Sequence, residues 1–380
     1  MKPWVILSLA ALATGLGLAN LASATADPTG ALGRVFYTQL VSAVVAISVG
    51  VAVSRVNAET LKRVALPAWA LGCAGLVVVL VMGAVGGGAR SWLLLGGSSF
   101  QPSEAMKLLV PLALAAELST PRRSRLTRVL VCAGLVGVPV ALIGLQPDMG
   151  AVGLLMLGAL SVLWLGGLAT RWFVGAGVLG AIIAPLAYAQ LLPYQQQRLL
   201  TFIHPEQDPT GSGYQTLQSL YAIAAGGWKG AGWFAGTQGR LGFLPAHETD
   251  FILAVLVEEW GVAGGLVTLA LLAGLVFAGL RIASLTKDRF IGLLAAGMAM
   301  QLFWQVMVNA GGVLGLLPLT GVTLSFLSRG GSSLLVAWAS VGVLMGCAAT
   351  LGMGSHLLRE PVKLRLIRRP GPGSQERDAA

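Results

Sequence analysis

Asp250 stands where a long polar stretch meets an apolar run. It closes the segment 193–250, and Phe251 opens the apolar residues that follow. Polar loops of that length inside a compact chain are usually functional. If the apolar run enters a bilayer, the carboxylate lies at headgroup depth. A general base there can come within hydrogen-bond reach of a hydroxyl on a lipid-linked reactant. The competing role is capping of the next helix, with Thr249 as rival. Arg90, Arg198, Lys229, Arg240 and Arg329 belong to segments on the same side as Asp250. Together they suit an anionic group such as a diphosphate. For any one of them alone, a solvated surface charge is the simpler account.

Six further ionisable residues fall within or at the ends of apolar runs: Glu104, Lys107, Glu117, Asp148, Glu258 and Glu259. A charge at mid-bilayer costs at least ~2.5–3.5 kcal/mol, so each needs a reason to be there. Glu104 and Lys107 are three apart and share a helix face, so mutual neutralisation and a functional role both remain open. Glu258 and Glu259 point about 100° apart, so both can hardly face lipid. They are expected to be structural or to line a cavity. Asp148, in a short turn between two runs, is expected to cap the helix after it. His247 has no second histidine at zinc-ligand spacing, and no glycine run leads into Gly-Lys-Ser/Thr. Neither a zinc site nor a nucleotide loop is therefore indicated.

These residues must be held by apolar elements. The 380 residues are 56% hydrophobic and 11% charged, against roughly 25% charged in a soluble domain. Unbroken apolar runs argue for helices and against a barrel. Ten spans can be drawn, at 4–24, 35–54, 65–86, 104–119, 126–146, 149–168, 172–192, 251–280, 289–312 and 332–356. The first resembles a signal peptide at Ala22-Ser23-Ala24 but reads better as a retained helix. The expectation is an all-α polytopic membrane protein of about ten spans, with one large external loop between spans seven and eight. Residues 1–358 form one domain, and 359–380 form a basic, disordered cytoplasmic tail. Of the 25 basic residues, 18 lie on the side of the termini and six on the other. This places both termini in the cytoplasm and the 193–250 loop outside. The net charge of +10 thus follows from topology, and no nucleic-acid partner is expected. Cys73, Cys132 and Cys347 read as buried apolar residues.

The chain resembles the SEDS family of RodA and FtsW. The likeness rests on Gly88-Ala89-Arg90-Ser91-Trp92, on Gln101-Pro102-Ser103-Glu104-Ala105-Met106-Lys107 and on Gln146-Pro147-Asp148-Met149-Gly150. It continues through Gly213-Tyr214-Gln215, Gly236-Thr237-Gln238, Leu244-Pro245, Thr249-Asp250-Phe251-Ile252 and Glu258-Glu259, then Asn309, 315–321 and Gly330-Gly331-Ser332-Ser333. The segments 229–233 and 236–238 lie nearer the RodA branch. Three positions depart from the family's usual pattern. Ala246 stands where Glu is common after Leu-Pro, Glu248 where His precedes Thr-Asp, and Arg329 where Tyr precedes Gly-Gly-Ser-Ser.

The resemblance implies an inverting peptidoglycan glycosyltransferase of the bacterial cytoplasmic membrane. It would polymerise lipid II outside the cell during elongation and maintenance of rod shape. Asp250 would be catalytic. Arg90, Glu104, Lys107, Lys229, Gln238 and Arg240 would bind substrate, and Asp148, Glu258, Glu259, Asn309 and Ser332 would build the site. A divalent cation, Mg or Mn, is an open expectation. The implied partners are a class B penicillin-binding protein and other membrane proteins of the elongation complex. A lipid II flippase and a non-catalytic scaffold are the competing readings.

Overall fold

A computed structural model describes residues 2–26, 30–86, 89–95, 98–120, 124–190, 196, 200–202, 204–208, 211–239 and 241–357. The expected tail 359–380 and the expected site residue Arg240 lie outside the described residues, as do Arg198 and parts of the 193–250 loop.

Every expected span falls on a helix. In chain order these are α1 (Pro3–Ala24), α2 (Arg34–Val53), α3 (Ala58–Met82), α4 (Pro102–Leu118), α5 (Arg125–Gly144), α6 (Met149–Leu165) and α7 (Thr170–Gln190). After the polar loop come α9 (Ile252–Leu285), α10 (Arg289–Val313) and α11 (Gly331–Leu357). Seven of them are long and apolar enough by themselves to cross a membrane. The others are shorter: α4 and α6 have 17 residues each. The apolar part of α7 spans Thr170–Leu186.

The polar loop is more structured than its composition suggests. It contains a helix, α8 (Ser212–Gly226). The third span also ends earlier than expected. Gly83 stops α3, and a three-stranded antiparallel sheet follows: β1 (Ala84–Gly86), β2 (Ala89–Leu95) and β3 (Ser98–Phe100). Pro102 then occupies the first turn of α4, where its missing amide costs nothing.

Two helices form the centre. α4 packs against α3, α5, α6, α10 and α11, and α10 against α4, α6, α8, α9 and α11. Small residues allow these approaches: Gly297 on α10 lies against Pro111 of α4 and Val162 of α6, and Gly279 of α9 lies against Ala299 of α10. Such packing is what a bilayer demands, where apolar burial gives helices no drive to associate. α1 is an integral member. It packs on α9 and α11, and its buried Asn20 donates to the Ile252 carbonyl at 2.9 Å. α7 is exposed along nearly its whole described length.

α9 is not one helix. Gly261 has φ 72° and ψ 178°, a conformation suited to glycine, and it separates 252–260 from 262–285. The loop after α8 crosses this break. Ala231 and Gly232 donate their amides to the carbonyls of Glu258 (2.9 Å) and Glu259 (3.0 Å). In return, Val262 and Ala263 donate to the carbonyls of Gly227 (2.9 Å) and Trp228 (3.3 Å). The groups freed by the break are thereby satisfied, as irregular backbone at membrane depth requires. Gly226, Gly230 and Gly261 meet backbone carbonyls so closely that no side chain fits at any of them.

Candidate active site

Asp250 is set by a tight turn. Ala246, with φ 52°, turns its carbonyl toward three successive amides, those of Thr249 (3.0 Å), Asp250 (3.1 Å) and Phe251 (3.3 Å). A left-handed alanine is uncommon and persists only where its surroundings enforce it. The N-cap position of α9 falls on Phe251, one residue beyond Asp250 and two beyond Thr249. The half-helix that begins there is buried from Ile252 to Glu259, and its dipole favours negative charge at the end where half-buried Asp250 sits.

A second segment, 318–330, fastens this turn from the opposite side. Three consecutive carbonyls each receive a donor. The Glu248 carbonyl takes the Arg329 amide at 2.8 Å. The Thr249 carbonyl takes the Ser328 hydroxyl at 2.6 Å. The Asp250 carbonyl takes the side-chain amide of Asn309 at 2.8 Å. Asn309 also donates to the Val322 carbonyl at 2.8 Å, and the Ser328 oxygen accepts the Leu324 amide at 2.8 Å. Each clamp therefore holds both segments. Gly321, at φ 68°, brings bare backbone to the carboxylate, since a Cβ there would stand 3.8 Å from Asp250 Oδ2.

Below this level the polar contacts continue into the bundle. Gln305 on α10 donates to the Thr323 carbonyl at 3.0 Å, and Thr323 Oγ1 donates to Ser333 at 3.1 Å. Ser333 and Gln305 line a cavity of about 30 Å³ together with Glu104 and Lys107. Lys107 Nζ lies 2.6 Å from Glu104 Oε1, and both side chains are buried. A buried pair of this kind is strongly destabilising if one partner is removed. At the amino end of α4, Gln101 bridges to two other elements. Its side chain donates to Asp148 Oδ2 at 3.0 Å, and its amide donates to Ser332 Oγ at 3.1 Å. Ser332 in turn donates to the Ser99 carbonyl of β3 at 3.3 Å. Asp148 caps α6 through Oδ1 and the Ala151 amide at 3.0 Å. Burial pushes its carboxyl above the ordinary range.

Glu258 and Glu259 are both buried and turn away from lipid. Glu258 Oε1 accepts the amides of Thr237 (2.6 Å) and Gln238 (3.0 Å). Glu259 accepts the Ser23 hydroxyl of α1. Glu258 thus anchors the backbone of Thr237 and Gln238 against the broken helix, and Glu259 ties α1 to it. Lys229 is exposed on the turn that bridges the break. Arg90 is exposed on β2, in register with Val85. Neither makes an ion pair with a described residue. Among the described residues no group of three His, Cys, Asp or Glu could hold a metal ion. A divalent cation would therefore have to lean on the phosphates of a substrate with one carboxylate, as magnesium often does.

Several positioning residues carried no sequence signal of their own. Ser328, Gln305 and Thr323 are common polar types inside or beside apolar runs. Gln39 reaches from α2 to the same region, donating to the Ser328 carbonyl at 3.2 Å and accepting the Gly330 amide at 3.1 Å. Only their recurrence at one end of several spans marks them.

A bundle of membrane-crossing helices with an aspartate on a clamped turn at one end defines the class. Comparisons then give the family. The model described as FTSW_RODA_SPOVE, cell cycle protein, matches residues 3–351. Peptidoglycan glycosyltransferase MrdB of Escherichia coli (strain K12) is 40% identical over 274 residues, covering 71% of this chain and 74% of that protein. Stage V sporulation protein E of Bacillus subtilis (strain 168) is 38% identical over 281 residues, covering 71% and 75%. Among solved structures, one from "Structural coordination of polymerization and crosslinking by a peptidoglycan synthase complex" matches with TM-score 0.80 and 31% identity, over 92% of this chain and 98% of that one. The rod shape determining protein RodA of Thermus thermophilus matches with TM-score 0.68 and 28% identity, over 91% and 96%. The chain belongs to the FtsW/RodA/SpoVE family, also called SEDS.

Proposed function

We propose that this multi-pass membrane protein is a peptidoglycan glycosyltransferase that polymerises lipid II at the outer face of the cytoplasmic membrane, with Asp250 as general base. The observation that carries the assignment is the clamping of the Asp250 turn through three consecutive main-chain carbonyls, by Arg329 and Ser328 of the 318–330 segment and by Asn309 of α10. A carboxylate borne on a turn held that firmly suits a base that must meet one proton in one geometry. Asp250 takes the proton from the C4 hydroxyl of the acceptor sugar. The oxygen so freed bonds to C1 of the donor as the bond from C1 to the phosphate oxygen breaks. Undecaprenyl diphosphate departs with the electron pair, and the configuration at C1 inverts, as it does in inverting glycosidases. The exposed cations Arg90 and Lys229, with Arg240, offset the charge on the leaving diphosphate. Glu104 and Lys107 brace the floor.

The outward placement of this end is supported by charge, since 18 of 25 basic residues lie at the opposite end or in the tail. Work in elongation beside a class B penicillin-binding protein is supported by the relatives, one named rod shape determining and one described within a complex for polymerization and crosslinking. The deciding experiment gives purified protein labelled lipid II in detergent and in sealed vesicles. The parent chain forms glycan ladders, and a folded Asp250→Ala variant forms none. Ladders from Asp250→Ala at the parent rate would overturn the assignment. Transfer across the vesicle without polymer would make the protein a flippase, and neither result would leave a scaffold.

A further inference from the structure

Glu248 and Arg329 stand against each other beside the Asp250 turn. In the structure Arg329 Nη1 donates to Glu248 Oε1, and the Arg329 amide donates to the Glu248 carbonyl at 2.8 Å. The two residues are thus joined by main chain and side chain at once. Glu248 is two residues before Asp250. Arg329 directly follows Ser328, whose hydroxyl holds the Thr249 carbonyl at 2.6 Å.

The three clamps on the Asp250 turn differ in kind. Asn309 at the inner edge is 5% exposed and neutral. At the outer edge the Glu248 and Arg329 side chains are 24% and 45% exposed, and they are charged. We propose that Glu248 and Arg329 are positioning residues for glycosyl transfer: their ion pair latches the outer edge of the Asp250 turn to the 318–330 segment, and it makes the reaction rate sensitive to salt. The inference rests on Asp250 as the base. Misplacing a reacting group by about 1 Å can cost ~100-fold in rate, so a latch beside the base acts on turnover more than on binding. A pair that reaches water is screened by added salt. The alternative duty for Arg329 is direct contact with the substrate diphosphate, which acts on binding and needs no partner at 248.

The test uses the full-length protein in detergent, with labelled lipid II and initial rates of polymer formation. It compares Glu248→Ala, Arg329→Ala and the exchanged pair Glu248→Arg with Arg329→Glu, beside Asp250→Ala. Each single variant is expected to lower kcat about tenfold with KM within about twofold. The exchanged pair is expected to recover kcat to within about threefold of the parent, because the attraction is restored with its ends reversed. Added salt should slow the parent and leave the single variants unchanged. Single variants with parent kcat, or a raised KM without rescue by the exchange, would overturn the latch. The latter result would assign Arg329 to the diphosphate. Should a single variant fail to fold, the exchanged pair decides alone: parent-like turnover supports the latch, and a tenfold deficit refutes it. Activity in Asp250→Ala would instead defeat the reading of the base, so the two failures are separable.

Discussion

Asp148 accepts the Ala151 amide with one oxygen and the Gln101 side chain with the other, yet burial outweighs both and raises its carboxyl above the ordinary value of 3.8. Lys107 pulls in the opposite direction and Glu104 adds to the rise. A carboxyl with a raised folded value favours folding while protonated, and that contribution is lost as pH rises through the folded value. Asn mimics the protonated form and is an equally good cap. The melting temperature of Asp148→Asn minus that of the parent should therefore grow more positive from about pH 4 toward neutrality. Thermal unfolding in detergent at several pH values measures it, and a difference independent of pH would contradict it. Asp250 shows what residue type and position could reveal unaided: a carboxylate at the edge of an apolar run, a candidate base or a helix cap. Its pairing with Asn309, Ser328 and Arg329 could not be read in the same way, because these lie 59 to 79 residues further along the chain and hold its turn at main-chain carbonyls, which carry no residue identity.

At the scale of elements, the ten helices follow from the length of apolar runs, and their ends differ from expectation by a few residues. The exceptions have a common cause. The early end of α3 at Gly83 and the break in α9 at Gly261 both fall on glycines, and glycine is so frequent here, with 52 copies, that no single one stands out. Gly261 is a case in point. It sits in an apolar stretch that reads as one continuous span, and only its positive φ and the crossing loop reveal two half-helices. Gly261→Ala should cost about 1–3 kcal/mol from backbone strain, with a further loss because the Trp228 carbonyl occupies the space. Gly153→Ala on α6 has no atom within 4 Å of the added carbon and should not lower stability. Thermal unfolding of the two variants beside the parent gives the comparison, and equal melting temperatures would refute the account.

At the scale of the whole molecule, the charge distribution and the fold agree. The segments bearing Ser99, Gln101, Asp148, Asp250 and Ser332 meet at one end, while Lys62, near the start of α3 and against Phe290, and Lys287, in the connection from α9 to α10, lie at the other. The three cysteines are buried, so a thiol introduced at the surface would report with little background. Lys229→Cys should react with an impermeant maleimide in intact cells, and Lys287→Cys only after permeabilisation; the reverse pattern would invert the topology. The loop that crosses the Gly261 break also restricts how the protein can be modified. External loops are ordinarily where epitope tags and fusions are tolerated. Here residues 226–232 supply hydrogen bonds to the interior of a membrane helix. An insertion or a protease cut in that short stretch would strand those amides and carbonyls in lipid, so a change made in a polar loop would unfold the chain within the bilayer.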